Sequence, residues 1–377
     1  MNLEFEDIRP YNDEEINAAM KRIANNRQFD NIARKLFPSV PAELLREKMS
    51  HISDTQTFQV EIMHPAIKSI LNTSSDSCTF SGLENLDRNS AYLFISNHRD
   101  ILLDAAILQL VLYDNGYKTS GITFGSNLMS GDLAVDIGKA NKMFKVEREG
   151  TIAEIYRHSK HLSAYIRYSI TTKNESVWIA QRNGRTKDGI DKTETGVIKM
   201  FSMSGPSDFV TNFSEINIAP MSISYEYEPC DFLKTAELYQ KEIFGSYTKA
   251  SGEDLNSVLT GIVQQKGGIH INFPEPIKKE ELEAISQGNI KIRISELAQI
   301  IDNRINNEFK LWKTNYIAYD IINDTNKYAD KYTPEQKLDF TEYMNTQLNK
   351  IIGEREALKR IFLGIYANPV TNRQTNF

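Results

Sequence analysis

The sequence predicts an α/β fold, with a mixed central sheet carrying helices on both faces and helical regions flanking it at the N-terminus and the C-terminus. Three observations lead there. Short apolar runs suited to buried strands recur between Tyr92 and Phe273, helical periodicity fills the gaps between them, and both ends of the chain are helical in pattern alone. At 377 residues the chain is long enough for two or three units. We expect an N-terminal helical region over 1–75, an α/β domain over 76–290, and a C-terminal helical region over 291–377 that packs on it.

In the N-terminal region Ile16, Met20 and Ile23, then Ile32 and Leu36, repeat every three or four residues, Pro38 and Pro41 break the run, and Asn72–Asp76 is the exit. The first strand of the α/β domain is Tyr92–Ser96, followed by a helix over Ile101–Tyr113. Further strands are expected at Thr119–Phe124, Ser176–Ala180, Asn217–Ser224 and Gly268–Phe273, with helices at Ile152–Ile170 and Thr195–Met203. Beyond Glu280 the residues Ile290, Ile294, Leu297, Ile301 and Ile305 share one helical face. Pro334 after Thr333 starts another helix, on which Leu338, Tyr343, Leu348 and Ile352 follow.

Composition narrows the function. The 44 Lys and Arg against 50 Asp and Glu give a net charge of −6, so nothing global draws the chain to nucleic acid. Cys78 and Cys230 lie far apart without metal-site spacing and are expected as reduced thiols in a cytoplasmic protein. The acidic start has no signal-peptide character, and the most apolar stretch, Ile101–Tyr113, is shorter than the roughly 20 residues of a spanning helix. Membrane contact, if made, is therefore expected to be peripheral, with the amphipathic helices at either end as candidates.

The chemistry-bearing residues follow the strands. After Tyr92–Ser96 comes Asn97-His98-Arg99-Asp100, with Asp104 in the next helix. A neutral imidazole whose second nitrogen is held by a carboxylate can take a hydroxyl proton. Asn141–Thr151 carries Lys142, Lys145 and Arg148, and Gln181–Gly189 carries Arg182, Asn183, Gly184, Arg185 and Lys187. Both suit an anion, through bidentate guanidinium contacts and backbone N–H groups at a glycine turn. Glu154, His158 and His161 share a helix face with metal-ligand spacing but lack a further ligand, so no metal is expected.

These blocks stand in a particular order. Asn97-His98 with a following Asp, a basic segment, the turn Asn183-Gly184-Arg185 and then Ala219-Pro220-Met221-Ser222-Ile223-Ser224-Tyr225-Glu226 resemble the glycerolipid acyltransferase superfamily, which acylates glycerol 3-phosphate and lysophosphatidate. Gly268–Ile277 is similar to its later strand. The resemblance covers about Tyr92 to Ile277 and implies compact bacterial members with 76–290 as the catalytic domain. It makes His98 the general base and Asp104 the carboxylate that orients it. Arg148 and Arg185 would hold an acceptor phosphate with Lys145 and Lys187 as helpers, and Pro220 would shape the acyl-carrier side. It implies no cofactor beyond an acyl carrier protein or coenzyme A thioester as co-substrate, glycerol 3-phosphate or a lysophospholipid as acceptor, and a place at the inner face of the cytoplasmic membrane. Two departures go with it. Five residues rather than four separate His98 from Asp104, and Asn183 stands where the superfamily has Glu. The resemblance thus also allows an alternative, a catalytically impaired relative that binds acyl carrier or lipid on the same fold.

Overall fold

The computed structural model describes residues 3–128, 131–147, 149–285 and 287–375. The N-terminal part consists of α1 (Asp13–Ala24), α2 (Phe29–Leu36), α3 (Ala42–Ser50), α4 (Thr55–Phe58) and α5 (His64–Ser74), with a π-helical stretch at Gln59–Met63 between the last two. The α/β part alternates β1 (Ser77–Ser81), β2 (Leu93–Ser96), α6 (Leu103–Asp114), β3 (Gly121–Gly125), α7 (Asp132–Ala140), β4 (Met143–Val146), α8 (Ile152–Thr171), β5 (Val177–Ala180), α9 (Thr195–Phe201), α10 (Phe209–Ser214), β6 (Ile218–Tyr225), α11 (Asp231–Phe244), α12 (Glu253–Val263) and β7 (Gly268–Asn272). Then come α13 (Lys279–Ala284), α14 (Ile290–Glu308), α15 (Lys313–Ile322), α16 (Pro334–Leu348) and α17 (Arg355–Thr375).

The strands form one seven-stranded sheet in the order β1-β7-β6-β2-β5-β3-β4. Strands β6, β2, β5, β3 and β4 run parallel, whereas β7 pairs antiparallel with β6 and parallel with β1, so the sheet is mixed. Alternation along each strand builds two cores. Leu93, Ile95, Val177, Ile179 and Ile218 face Leu162, Ile166 and Phe201 and the apolar stripe Ile294, Leu297, Ile301, Ile305 of α14. Phe94, Trp178, Ala219, Met221 and Ile223 face α5 and α6 on the other side. Most of the apolar periodicity read at both ends is spent internally, but Leu338 is exposed and Ile352 lies beyond the end of α16, fully exposed, because the helix stops at Leu348. Ile16, Met20 and Ile23 pack with Leu45, Met49 and Phe58, while Leu358, Phe362 and Tyr366 pack with Ile317, Phe340 and Met344. The terminal helices therefore keep those faces for the protein rather than for a bilayer.

Two strands escaped the periodicity. β1 is an edge strand, SCTFS, with mostly exposed side chains, and β4 is four residues with Lys145 in it, so neither shows an apolar run. Pro220 lies in the interior of the sheet without breaking it. It is opposite Ile95 on β2, and its N–H-less edge faces the side where β7 has already ended after Asn272.

Candidate active site

The parallel strands β2, β5, β3, β4 and β6 end on one edge of the sheet, and the loops leaving that edge carry the chemistry. β2 delivers Asn97, whose amide spans to the next strand: Nδ2 donates to Ile223 O at 2.9 Å and Oδ1 accepts from Ile223 N at 2.8 Å. This extends the β2–β6 pairing by a side chain and fixes where the chain turns away. His98 is the next residue. Its Nδ1 lies 2.8 Å from Asp104 Oδ2, and its side chain is 12% exposed.

The additional residue between His98 and Asp104 does not displace the carboxylate. Helix α6 begins at Leu103, so residues 98–102 form a non-helical turn that absorbs it, with Asp100 Oδ1 accepting from Leu102 N at 2.9 Å and Leu103 N at 2.8 Å. Asp104 is fully buried and its oxygens are satisfied. Oδ2 also accepts from Arg99 N at 2.6 Å and Asp100 N at 3.0 Å, and Oδ1 accepts from Tyr225 OH at 2.7 Å. Burial and the Asp104 charge push the Tyr225 hydroxyl well above its ordinary pKa, so it stays a donor. With a carboxylate accepting at Nδ1, a neutral His98 keeps its lone pair on Nε2. The ring is held edge-on to Trp178, centroids 5.5 Å apart, and the Trp178 indole N–H donates to Ser96 Oγ at 3.0 Å.

The loop after β5 lies against this turn, with Thr186 N donating to His98 O at 2.7 Å. Gly184 sits at φ +77, the left-handed region that suits glycine, and the chain passes through it into Arg185. Arg185 Nη1 is buried without a hydrogen-bond partner, and the guanidinium lies near the Cys230 thiol and the Asp100 carboxyl. Burial pushes Cys230 up to about 11, which keeps it a thiol, and burial with the Asp104 charge raises Asp100. A buried guanidinium nitrogen with no hydrogen-bond partner, close to an imidazole, is an arrangement that can accept an anion.

The other expected ligands are placed differently. Arg148 lies outside the described residues. Lys145 is in β4, its ammonium 2.6 Å from Glu147. Asn183 is exposed, and its backbone N–H donates to Glu194 Oε2 at 3.2 Å. Lys187 is ion-paired with Glu237, so its charge is already compensated. Pro220 is buried within β6, three residues below the Asn97 bridge to Ile223. On α8, His161 pairs with Asp7 at 2.9 Å and Glu154 closes the Thr151 cap; among the described residues no group of three His, Cys, Asp or Glu side chains could hold a metal.

The sequence did not disclose Asp191. It is buried, and its Oδ2 accepts from Asn97 Nδ2 at 3.2 Å and pairs with Arg99 Nη2, while its Oδ1 accepts from Thr186 Oγ1 at 2.8 Å. One carboxylate thus ties the residues on both sides of His98 to the residue after Arg185. Arg99 is completed by Glu228 at 3.3 Å, which also holds Lys234 at 2.6 Å, while the Lys234 ammonium donates to Arg99 O at 2.8 Å. Four buried charges, two of each sign, stand behind the dyad.

Nearby, Asp302 of α14 accepts from Thr193 N at 2.7 Å, and burial raises its carboxyl to about 6. A carboxylate raised above its unfolded value binds its proton more tightly in the folded state, so stability falls as pH rises through that interval. Asp302→Asn is expected to melt above the parent at about pH 7.5, with the difference closing below about pH 4. Thermal melts at both pH values check this.

Residues 77–224 match the family described as Acyltransferase. No curated protein matches the chain significantly. Among solved structures, the chain is similar to the 1-acyl-sn-glycerophosphate (LPA) acyltransferase of Thermotoga maritima, at 11% identity over 75% of this chain and 92% of that one, with a TM-score of 0.38. The family match spans the His98–Asp104 pair, the Gly184-Arg185 turn and Pro220 in β6. The segment that holds these residues is thus similar to the Acyltransferase family.

Proposed function

We propose that this protein is an acyltransferase that moves a fatty acyl group from an acyl carrier protein or coenzyme A thioester to a hydroxyl of glycerol 3-phosphate or a lysophospholipid. The reading rests on one observation. A His98 held by a buried Asp104 at 2.8 Å faces a loop whose Arg185 has a buried nitrogen with no partner. Nε2 takes the acceptor hydroxyl proton as the oxygen attacks the thioester carbonyl. The imidazolium, stabilised by Asp104, returns that proton to the departing thiolate as the intermediate collapses. The products are the ester and the free thiol, and no covalent enzyme intermediate is needed. Arg185 takes the acceptor phosphate and holds the hydroxyl near His98.

Under this reading the protein works at the inner face of the cytoplasmic membrane, where a lipid product is released. Product formation by mass spectrometry tests it, with both donor types and a panel of phosphorylated and unphosphorylated acceptors. No product from any pair, with acyl carrier still bound, would mark a relative that has dropped the chemistry, with Asn183 as its signature. The phosphate assignment has its own test. Removing a charged hydrogen bond of roughly 1.5–3 kcal/mol should raise KM for a phosphorylated acceptor about 10- to 100-fold in Arg185→Ala and leave an unphosphorylated one unchanged. An equal change for both acceptors would refute the assignment.

A further inference from the structure

Helix α12 is inverted. Its inward face is small, with Ser257 O accepting the Cys230 thiol at 3.2 Å and Gly261 so close to the dyad turn that a Cβ there would stand 2.2 Å from Asp100 Oδ2. Its outward face is large and apolar: Leu255 is 62% exposed, Val263 74%, and Leu259 lies between them, one turn from each. At the end of the preceding helix α11, Ile243 is exposed and Phe244 is 74% exposed. Single exposed apolar side chains are ordinary on a protein surface, but a stripe about two turns long on a helix that buries its small face is not.

A second apolar element stands on the same edge of the sheet. The first two turns of α8 leave the body with every side chain of residues 152–157 exposed, among them Ile152 at 90%, Ile155 and Tyr156. The loop after β3 joins the two elements. Asn127 donates to Asp254 of α12 at 2.9 Å, and Ser126 lies close to the Glu147 carboxyl just ahead of α8. Arg157 and Lys160 are exposed beside the α8 tip and form no ion pair among the described residues, and Glu154 on that turn is bound to the Thr151 cap.

We infer that the outward faces of α12 and the α11 end, together with the tip of α8, form the surface by which this protein docks on an anionic lipid bilayer. The inference rests on the reading that the product is a lipid. Apolar side chains standing out of a helix with free cations beside them are what the interface between acyl chains and headgroups takes up. The main apolar stripes of the helices at the chain ends are buried in the cores described above. Both elements leave the edge that carries His98, so docking would bring the dyad to the lipid surface.

The test is cosedimentation with vesicles of phosphatidylglycerol and phosphatidylcholine, comparing the full chain with Leu255→Asp/Leu259→Asp and Ile152→Asp/Ile155→Asp. Each double variant is expected to lose at least about tenfold in vesicle affinity while melting at the parent's temperature. Arg157→Glu/Lys160→Glu is expected to lose the preference for phosphatidylglycerol over phosphatidylcholine alone. Failure of the parent to bind, or parent-like binding by both apolar variants, overturns the inference. So does a dimer in sedimentation velocity that Leu255→Asp/Leu259→Asp disperses, since the face would then belong to a second copy. Turnover of a short-chain, monomeric acceptor, measured without vesicles, separates this inference from the reaction. If that turnover is absent, the proposed chemistry fails, and the vesicle result still decides the docking surface.

Discussion

His98→Ala is expected to lower kcat for acyl transfer by roughly 10² to 10⁴, the range for loss of a positioned general base, with little change in fold. The geometry supports the size of the effect. Nε2 is the ring position left to meet a hydroxyl, because Nδ1 is turned to Asp104 at 2.8 Å, and Asp104 is locked by Tyr225 and two backbone N–H groups. Product quantified by mass spectrometry against the parent gives the ratio. Turnover within a few-fold of the parent would remove His98 from the mechanism. Asp104→Asn should share most of the loss, since an amide can present either a donor or an acceptor to Nδ1 and no longer stabilises the imidazolium.

Asp191→Ala is expected to be the most destabilising single change near the site. It leaves Arg99 buried with Glu228 alone, and Glu228 is shared with Lys234. Breaking a buried ion pair from one side typically costs about 3–5 kcal/mol, because the remaining charge stays desolvated. Asn97 Nδ2 loses one of its two acceptors in the same change, and Thr186 Oγ1 loses its partner. Thermal or urea unfolding should show the loss. The pair Arg99→Met/Asp191→Leu should recover part of the stability, since no charge is left stranded. The same double variant should not recover turnover. It keeps the Thr186 N–H to His98 O bond but loses the carboxylate that ties Asn97, Arg99 and Thr186 together, so KM and kcat should both move. A parent-like melt for Asp191→Ala would show that water or a shifted Glu228 compensates Arg99.

The sequence alone carried much of this protein. Apolar runs long enough to be recognised became β2, β5, β6 and β7, because a strand buried on both faces must be apolar throughout. The stripe on α14 and the Thr333-Pro334 start of α16 were legible because helix faces and N-caps are local, with Thr333 Oγ1 accepting from Gln336 N at 3.2 Å. His98 and Asp104 were legible for a related reason, since both sit within one strand-to-helix turn.

What the spacing could not decide was whether six positions of chain would bring the ring to the carboxylate. That was decided in three dimensions by the late start of α6, by the Asn97 bridge to β6, and by a tyrosine from a strand more than a hundred residues on. The anion cluster divided in the same way. By composition Lys145, Arg185 and Lys187 are equivalent cations, yet Glu147 and Glu237 compensate two of them and leave Arg185 with the orphan nitrogen. Asp191 had no signal, because a buried carboxylate in a loop reads as a surface residue until Asn97, Arg99 and Thr186 close around it. Residue type and periodicity are local properties, so the chain alone sets which groups are available and on which elements. Which charge is paired, and which is left for a substrate, depends on neighbours brought from far along the chain, and only the packed structure decides it.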